Sequence, residues 1–271
     1  MTYGNLSDLE ESAKRCRRRI IDMVYTAQSG HPGGSLSCID ILAALYGKTM
    51  RFDPHNPDWH DRDRFIMSKG HASPAVYSVL REIGVLSDED LSGFRSMGSV
   101  CQGHVDRKWT RGVDFSAGSL GMGLSFGLGS ALAARLDGSD RHTWVLLGDG
   151  EIQEGQVWEA AMAVPHLDVV NITAIVDRNR IQNDNFVSEQ MGVGDVSAKF
   201  ASFGWNIIEI DGHHMPSIVN ALERSRESSL PTAIVAATVK GKGVSFMEDN
   251  PAFHGAAPNK TQYVTAMEEL R

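Results

Sequence analysis

Apolar residues recur at helical spacing at the start of the chain, at Leu9, Ala13, Cys16, Ile20, Met23, Val24 and Ala27. This pattern predicts an amphipathic helix over residues 7–27, for which Ser7 is available as the N-cap. A turn rich in glycine and proline, residues 29–34, ends this helix, and residues 35–42 begin another. Residues 121–136 alternate small and apolar side chains, which predicts a closely packed core helix.

Short apolar segments alternate with helical ones through the rest of the chain. Strands are predicted over residues 64–68, 143–147, 171–176, 205–210 and 232–236, and helices from residue 72 to about 83, over 156–164, near 197 and over 216–227. This alternation is typical of an α/β fold, with a mostly parallel central sheet and helices on both faces. No linker or repeat interrupts it. We therefore expect one domain, residues 1–271, in which a loop-rich segment, 238–271, lies over the edge of the sheet.

Composition and charge narrow the functional classes. The 271 residues are 42% hydrophobic, so the chain can bury a substantial core. The net charge of −8 repels nucleic acid, and the apolar runs are far too short to span a membrane. The opening residues are polar and acidic, unlike a signal peptide, which favours a cytoplasmic location. Three cysteines without metal-type spacing, Cys16, Cys38 and Cys101, are expected to be buried or incidental thiols.

Two predicted strands end in polar residues suited to a cation. The strand over 143–147 runs into Gly148, Asp149 and Gly150, and Asn179 follows the next strand. In open α/β sheets ligands bind beyond the carboxyl ends of the strands, and carboxylate and amide oxygens are the ligands that Mg²⁺ prefers. A simple Asp-Gly turn is the alternative. A nicotinamide site at residues 127–132 is a weaker one, because no strand precedes that segment.

Four histidines lie in glycine-flanked turns: His31, His71, His104 and His254. Imidazole donates, accepts and carries a proton near neutral pH, which suits chemistry on polyhydroxylated substrates. The alternative for each one is a structural loop histidine. Zinc ligation is disfavoured because no His-x-x-x-His or Cys-x-x-Cys pair is present. His213 and His214 are expected in a turn after a strand, and no supporting context is found for His55, His60, His142 and His166.

An ordered set of motifs carries a family resemblance. It comprises residues 29–33 (SGHPG), 68–72 (SKGHA), 118–123 (GSLGMG), 148–155 (GDGEIQEG), 177–179 (DRN) and 254–255 (HG). These motifs occur in the order seen in transketolases and cover nearly the whole chain. The chain thus resembles the amino-terminal, diphosphate-binding domain of a transketolase, in the form encoded as a separate subunit.

The resemblance implies roles for individual residues. Asp149 and Asn179 would bind Mg²⁺ or Ca²⁺ through their side chains, and Ile181 would bind it through its carbonyl. Thiamine diphosphate would be bound by the positions His71, Gly118, Ser119, Leu120, Gly148, Asp149, Gly150, Glu151, Asn179, Ile181 and His254. The four turn histidines match catalytic histidines around the cofactor and the sugar, and Glu154 matches a glutamate of the subunit interface.

The chain departs from the family pattern in two places. After Asn179 the family commonly has a small residue and an Asp-Gly pair, whereas this chain reads RIQNDN over residues 180–185. This change bears on substrate preference rather than on cofactor binding. The chain also ends without the pyrimidine-binding domain and the third domain of usual members. The expected partner is therefore a carboxy-terminal transketolase subunit that carries the pyrimidine-binding domain, in an α₂β₂ assembly.

The expected reaction is transfer of a two-carbon ketol unit from a ketose phosphate to an aldose through thiamine diphosphate. A component of another thiamine diphosphate enzyme is the near alternative, either deoxyxylulose-phosphate synthase-like or dehydrogenase E1-like. The motifs at residues 29–33 and 68–72 argue against it. A non-catalytic cofactor-binding subunit is the alternative from another class.

Overall fold

A single parallel sheet organises the chain, whose computed structural model describes residues 5–183 and 185–271. The strands are β1 (Arg64–Met67), β2 (Thr143–Gly148), β3 (Ile172–Arg178), β4 (Asn206–Asp211) and β5 (Thr232–Ala237). Their order across the sheet is β1-β2-β3-β5-β4, and every neighbouring pair is parallel. All carboxyl ends therefore meet at one edge. The predicted α/β class and the five strands are confirmed.

Ten α-helices lie within the described residues. They are α1 (Leu6–Ala27), α2 (Pro32–Ala44), α3 (Ser73–Glu82), α4 (Asp88–Ser92), α5 (Met122–Leu136), α6 (Gly155–His166), α7 (Val187–Gln190), α8 (Val196–Ser202), α9 (Met215–Glu227) and α10 (Lys260–Glu269). A π-helical turn, Leu45–Thr49, extends α2. No helix within residues 5–183 and 185–271 has both the length and the apolar character needed to cross a bilayer.

Alternate side chains of each strand enter two different cores. In β2, Trp144 and Leu146 pack with α1, α2, α3 and α9, whereas Val145 and Leu147 pack with α5, α6 and α8. This division follows from the two-residue period of a strand. A sheet buried on both faces explains why its strands read as continuous apolar runs rather than alternating ones.

Three details differ from the sequence-based expectations. The N-cap of α1 is Asn5, whose side chain accepts a hydrogen bond from the Asp8 amide, and Ser7 lies inside the helix. Helix α5 buries only one face, and side chains such as Met122 and Phe126, each 41% exposed, lie on the other. Segment 238–271 contains α10, which packs on α1 through stacked rings of Tyr25 and Tyr263. Helix α10 is short and only Ala266 is buried on it, so its apolar pattern is weak.

The three cysteines are buried thiols, as expected. His213 and His214 lie in the turn after β4, also as expected. Asp184, within the segment that departs from the family pattern, lies outside the described residues.

Candidate functional site

The ends of β2 and β3 bring Asp149 and Asn179 to the same edge of the sheet. Gly148 pairs with Asp177 in register, and the Asp149 amide donates to the Asp177 carbonyl at 3.3 Å. The Asp149 carboxylate accepts from the amides of Gly150 at 2.9 Å and Arg180 at 2.6 Å. Burial, and then the Asp177 carboxylate, raise the pKa of Asp149 to about 6. A buried carboxylate with a raised pKa favours a nearby cation.

The backbone of Arg180 determines the shape of the loop that follows β3. It adopts a left-handed backbone with φ of 66°, which is uncommon for a residue with a Cβ. Its amide thereby reaches Asp149 while its side chain is exposed. The side chain thus projects away from the loop.

A cavity of about 370 Å³ opens above these strand ends. Its lining includes His31, Gly34, Lys69, His71, His104, Gly118, Leu120, Gly148, Asp149, Gly150, Glu151, Gln153, Glu154, Asn179, Ile181, Gln182, Asn183, Lys240 and His254. Every residue predicted for the site except Ser119 is in this lining. Motifs that lie far apart in the sequence therefore contribute residues to the same cavity.

The four turn histidines form one cluster in this cavity. The ring centroid of His31 lies 5.0 Å from that of His71, 6.2 Å from that of His104 and 5.4 Å from that of His254. Burial, followed by Arg95, lowers the pKa of His31 to about 4, and burial followed by Lys240 lowers that of His254 to about 3. Burial also lowers the pKa values of His71 and His104. All four rings are therefore neutral near pH 7, and each has one donor and one acceptor nitrogen.

One of these histidines has a free polar atom. His31 Nδ1 is buried and has no hydrogen-bond partner among the described residues. Buried polar atoms are usually paired, so an orphaned one in a cavity points to a bound ligand.

Asp177 lies at the centre of a buried hydrogen-bond network next to the loop that follows β3. Its carboxylate accepts from Lys69 Nζ, Ser37 Oγ, Thr238 Oγ1 and Asn179 Nδ2, the last at 3.0 Å. Burial opposes ionisation of Asp177, but the Lys69 ammonium holds its pKa below the usual range. Because the Asn179 amide nitrogen donates to Asp177, its Oδ1 is kept on the other side of the amide. Asp177 therefore orients the predicted ligand oxygen.

Lys240 adds a cationic group. Its Nζ donates to the Ile181 carbonyl at 2.8 Å and lies 2.6 Å from His254 Nδ1. Burial and the neighbouring Lys69 lower the pKa of Lys240 to about 7. Its charge is therefore readily changed by what binds near it.

Glu151 and Glu154 have different surroundings. The Glu151 carboxylate is buried and accepts from Ser68 Oγ and from the amides of Gly121 and Gly148. Burial raises its pKa, although the Ser68 hydrogen bond opposes the shift. Its oxygens thus clamp the 118–121 turn to the end of β2. Glu154 is exposed at the rim of the cavity.

His142, for which the sequence offers no supporting context, is a residue of the core. Its ring is fully buried, lies 2.8 Å from Thr173 Oγ1 through Nε2 and packs on Trp144 at 4.4 Å between centroids. His142 directly precedes β2, so its side chain enters the core. By contrast, His55 and His60 are exposed.

Sequence reasoning missed Lys69, Asp177 and Lys240 as members of the site. Lys69 and Lys240 follow a strand by two and three residues and each precedes a glycine, and Asp177 is the penultimate residue of β3. The sequence signal that could have found them is a charged residue at the carboxyl end of an apolar strand. Charged groups at such a place are rarely buried without a partner or ligand.

Comparisons with known proteins agree with this geometry. Residues 9–270 match the family model described as transketolase, thiamine diphosphate binding domain. The chain is 39% identical to one of the subunits of the apulose-4-phosphate transketolase from Phocaeicola vulgatus, covering 97% of this chain and 93% of that protein. It is 38% identical to SqwG, which is one of the subunits of the 6-deoxy-6-sulfo-D-fructose transketolase from a Clostridium species, covering 97% and 96%.

A solved structure extends the likeness to the fold. The transketolase of Campylobacter jejuni superposes with a TM-score of 0.92 and 35% identity over 98% of this chain. This chain spans 43% of that protein's length.

Proposed function

This chain belongs to the transketolase family, as a thiamine diphosphate-binding domain, and on that premise we propose that it is the amino-terminal subunit of a split transketolase. The reaction is transfer of a two-carbon ketol unit from a ketose phosphate to an aldose or aldose phosphate. The observation that carries the proposal is the convergence of four neutral histidines and an oxygen-rich strand edge in one cavity.

The residues present fit thiamine diphosphate and a divalent cation. The described residues contain no group of three or more His, Cys, Asp or Glu side chains that could hold a metal. The proposed Mg²⁺ or Ca²⁺ ion therefore depends on the Asp149 carboxylate, the Asn179 amide oxygen and the Ile181 carbonyl, with positions left for diphosphate oxygens. Added Cβ atoms at Gly34, in the first turn of α2, and at Gly118, in the loop before α5, would meet nothing closer than 3.6 Å, so both positions leave room for a ligand.

The chain's own groups would bind and orient the reactants. Lys240, beside Ile181 and His254, supplies positive charge for the diphosphate. When bound, thiamine diphosphate supplies the electron sink for breaking the carbon–carbon bond. Neutral His31, His71, His104 and His254 would donate to and accept from the hydroxyl groups of the sugar, and move protons at its oxygen atoms.

The proposed partner is a carboxy-terminal transketolase subunit with the pyrimidine-binding domain, in an α₂β₂ assembly. Two relatives that match this chain over nearly their whole length are themselves named as subunits, which supports a divided enzyme. Exposed apolar side chains on α5 and α6 offer a contact surface, among them Met122, Phe126 and Met162, which is 49% exposed. Exposed Glu154, close to this surface in sequence, is the proposed interface glutamate. Residues 1–271 are proposed to form one cytoplasmic domain.

The reaction class is tested with the assembled complex. Purified chain and a pyrimidine-domain subunit would be mixed with thiamine diphosphate, Mg²⁺, xylulose 5-phosphate and ribose 5-phosphate, and the products followed by mass spectrometry. We expect a seven-carbon ketose phosphate and a three-carbon aldose phosphate, without carbon dioxide. Decarboxylation of pyruvate, with no transfer between sugars, would contradict the proposal.

A further inference from the structure

A second cavity, of about 630 Å³, lies at the opposite end of the sheet from the histidine cluster. Arg64 begins β1 and Arg141 lies two residues before β2, so the cavity adjoins the amino ends of these strands. Its lining, here named the basic cavity, comprises Asp58, Arg62, Arg64, Arg107, Lys108, Trp109, Thr110, Arg111, Gly112, Val113, Asp114, Phe126, Ser130, Ala133 and Arg141. No residue of this lining belongs to the site described above.

The charge of the basic cavity is opposite to that of the whole chain. Six basic and two acidic side chains line it, a local excess of four positive charges, whereas the chain carries −8. Concentrating cations in one concave place attracts anions, since a cleft lined by one sign of charge focuses the field.

The floor of the basic cavity holds two guanidinium groups, on buried Arg62 and half-buried Arg64, that share one carboxylate. Arg62 makes a two-pronged contact with the Asp114 carboxylate, at 2.9 and 2.7 Å, and Arg64 shares that carboxylate at 3.6 Å. Burial, followed by the charge of Arg62, lowers the pKa of Arg64. One carboxylate therefore offsets two guanidinium groups.

Arg141 provides an unsatisfied group on the same floor. It is 5% exposed, and its Nη1 is buried without a hydrogen-bond partner among the described residues. The other terminal nitrogen, Nη2, pairs with the Asp137 carboxylate at 2.5 Å, whereas the Asp61 carboxylate lies 3.9 Å from Nη1, beyond hydrogen-bond distance. A buried guanidinium nitrogen left unpaired is costly, and an anion in the cavity would lower that cost.

Three more cations lie at the rim. Arg107, Lys108 and Arg111 are exposed, and no carboxylate in the described part of the chain lies within 4.0 Å of their side-chain nitrogen atoms. Their loop is held in place at Thr110, whose hydroxyl donates to the Val100 carbonyl, and at Asp114, which accepts from the Phe65 amide. The rim charges are thus kept over the floor.

We propose that the basic cavity binds a compact anion with at least two negative charges, such as a phosphorylated small molecule. Arginine forks match phosphate and carboxylate oxygens, and the unpaired cations at the rim, together with the free Nη1 of Arg141 on the floor, supply both charge and donors. The concave shape suits a small molecule rather than a flat partner surface. Trp109, which is 51% exposed, offers an apolar wall to the rest of the ligand. The proposal does not depend on the transferase reaction.

The test is calorimetric titration of the full chain with inorganic diphosphate at fixed ionic strength. The test variant is Arg107→Gln/Arg111→Gln, which changes two exposed side chains and leaves the buried floor intact. The matched control, Arg224→Gln/Lys260→Gln, removes two exposed charges elsewhere. A third variant, Lys240→Gln, reports binding in the histidine-lined cavity.

We expect the test variant to lose at least tenfold in affinity for one diphosphate site, with less than a twofold change at that site in the control and in Lys240→Gln. The indole N–H resonance of Trp109, assigned with Trp109→Phe, should shift on titration. Equal affinity in the test variant and wild type, an equal loss in the control, or a loss confined to Lys240→Gln would overturn the proposal. So would a hexaglutamate peptide that binds through Arg107 and Arg111 while diphosphate does not, because the surface would then bind acidic protein segments.

Discussion

Two neighbouring carboxylates at the edge of the sheet differ in what holds them. Asp177 is paired with Lys69 and three other donors, so its charge is compensated inside the protein. Asp149 accepts only two backbone amides, and burial raises its pKa to about 6. Asp177 therefore acts as a structural anchor, whereas Asp149 is available to an external cation.

Asp149→Asn tests that division directly. The amide keeps the size of the side chain but removes the charge, so the affinity for Mg²⁺ with thiamine diphosphate should fall at least about tenfold. Calorimetric titration of the assembled complex measures this, and Glu159→Gln on the exposed surface of α6 is the carboxylate-to-amide control. Unchanged affinity in Asp149→Asn would remove the basis for the proposed metal site.

The catalytic role proposed for the four clustered histidines predicts a loss of turnover when any of them is replaced. Replacing His31, His71, His104 or His254 by Asn should lower turnover by on the order of 10²-fold, the usual effect of removing a positioned proton-transfer group. Steady-state kinetics of the assembled enzyme measure the effect. His55→Asn is the control, because this ring is exposed and outside the cavity. Small and equal effects at all five positions would favour structural roles for the cluster.

His142 gives a prediction about stability. Burial lowers its folded pKa to about 3, below the ordinary 6.5, so the unfolded chain binds the proton first. The free energy of unfolding should therefore decrease as the pH drops from about 6.5 toward 3, so that the protein becomes less stable. The slope should be about 1.4 kcal/mol per pH unit for one proton. In His142→Gln the slope between pH 6 and 4 should be lower by about that amount, as measured by urea unfolding. An identical slope in both proteins would show that His142 is already protonated when folded.

Residue-level predictions from sequence named residues that the structure brings to one cavity where glycine-flanked motifs mark loops, as at His31 and Asp149. They failed where a side chain's role depends on burial. Nothing in the local sequence shows that His142 enters the core or that Lys240 reaches the Ile181 carbonyl. Both contacts join segments far apart in the chain, and only the packed structure defines them.

At the scale of elements, the apolar patterns located all five strands because β1, β2, β3 and β5 are buried on both faces and the edge strand β4 still buries Ile208. The environment of helix α5 was harder to predict, because its two faces have different surroundings. Gly123 and Gly127 let the helix approach the sheet, while the opposite face carries exposed Met122 and Phe126. Sequence spacing alone does not separate a core helix from one with a second, uncovered face.

Because α5 packs closely on the sheet, we expect glycine-to-alanine substitutions along this helix to change stability by different amounts. A Cβ at Gly123 would lie 2.4 Å from the Ser68 Cβ, and one at Gly127 would lie 2.5 Å from Val145 Cγ2. Gly123→Ala and Gly127→Ala should each destabilise the fold by about 1–3 kcal/mol, because overpacking outweighs the gain in helix propensity. Gly129→Ala, where a Cβ meets nothing within 4 Å, should be neutral or stabilising by up to about 1 kcal/mol. Equal effects at the three positions in thermal unfolding would contradict this packing account.

At the scale of the whole molecule, the proposed function has the chain supply one end of a cofactor site that a partner completes. The cavity offers groups for a diphosphate and a cation, and an uncovered apolar surface on α5 and α6 lies close to Glu154 in sequence. The need for a partner was predicted from the family resemblance, because composition and hydrophobic pattern carry no information about a second chain. A thiazolium exposed to water would lose the preorganised surroundings that its chemistry requires.

Partner dependence is therefore the most direct test of the account. The chain, shown by mass spectrometry to be free of other polypeptides, would be assayed for two-carbon transfer between a ketose phosphate and an aldose phosphate, with thiamine diphosphate and Mg²⁺, before and after addition of a pyrimidine-domain subunit. We predict no transfer by the chain alone and robust transfer by the mixture. Robust turnover by the chain alone, or none after a stable complex has formed, would contradict it.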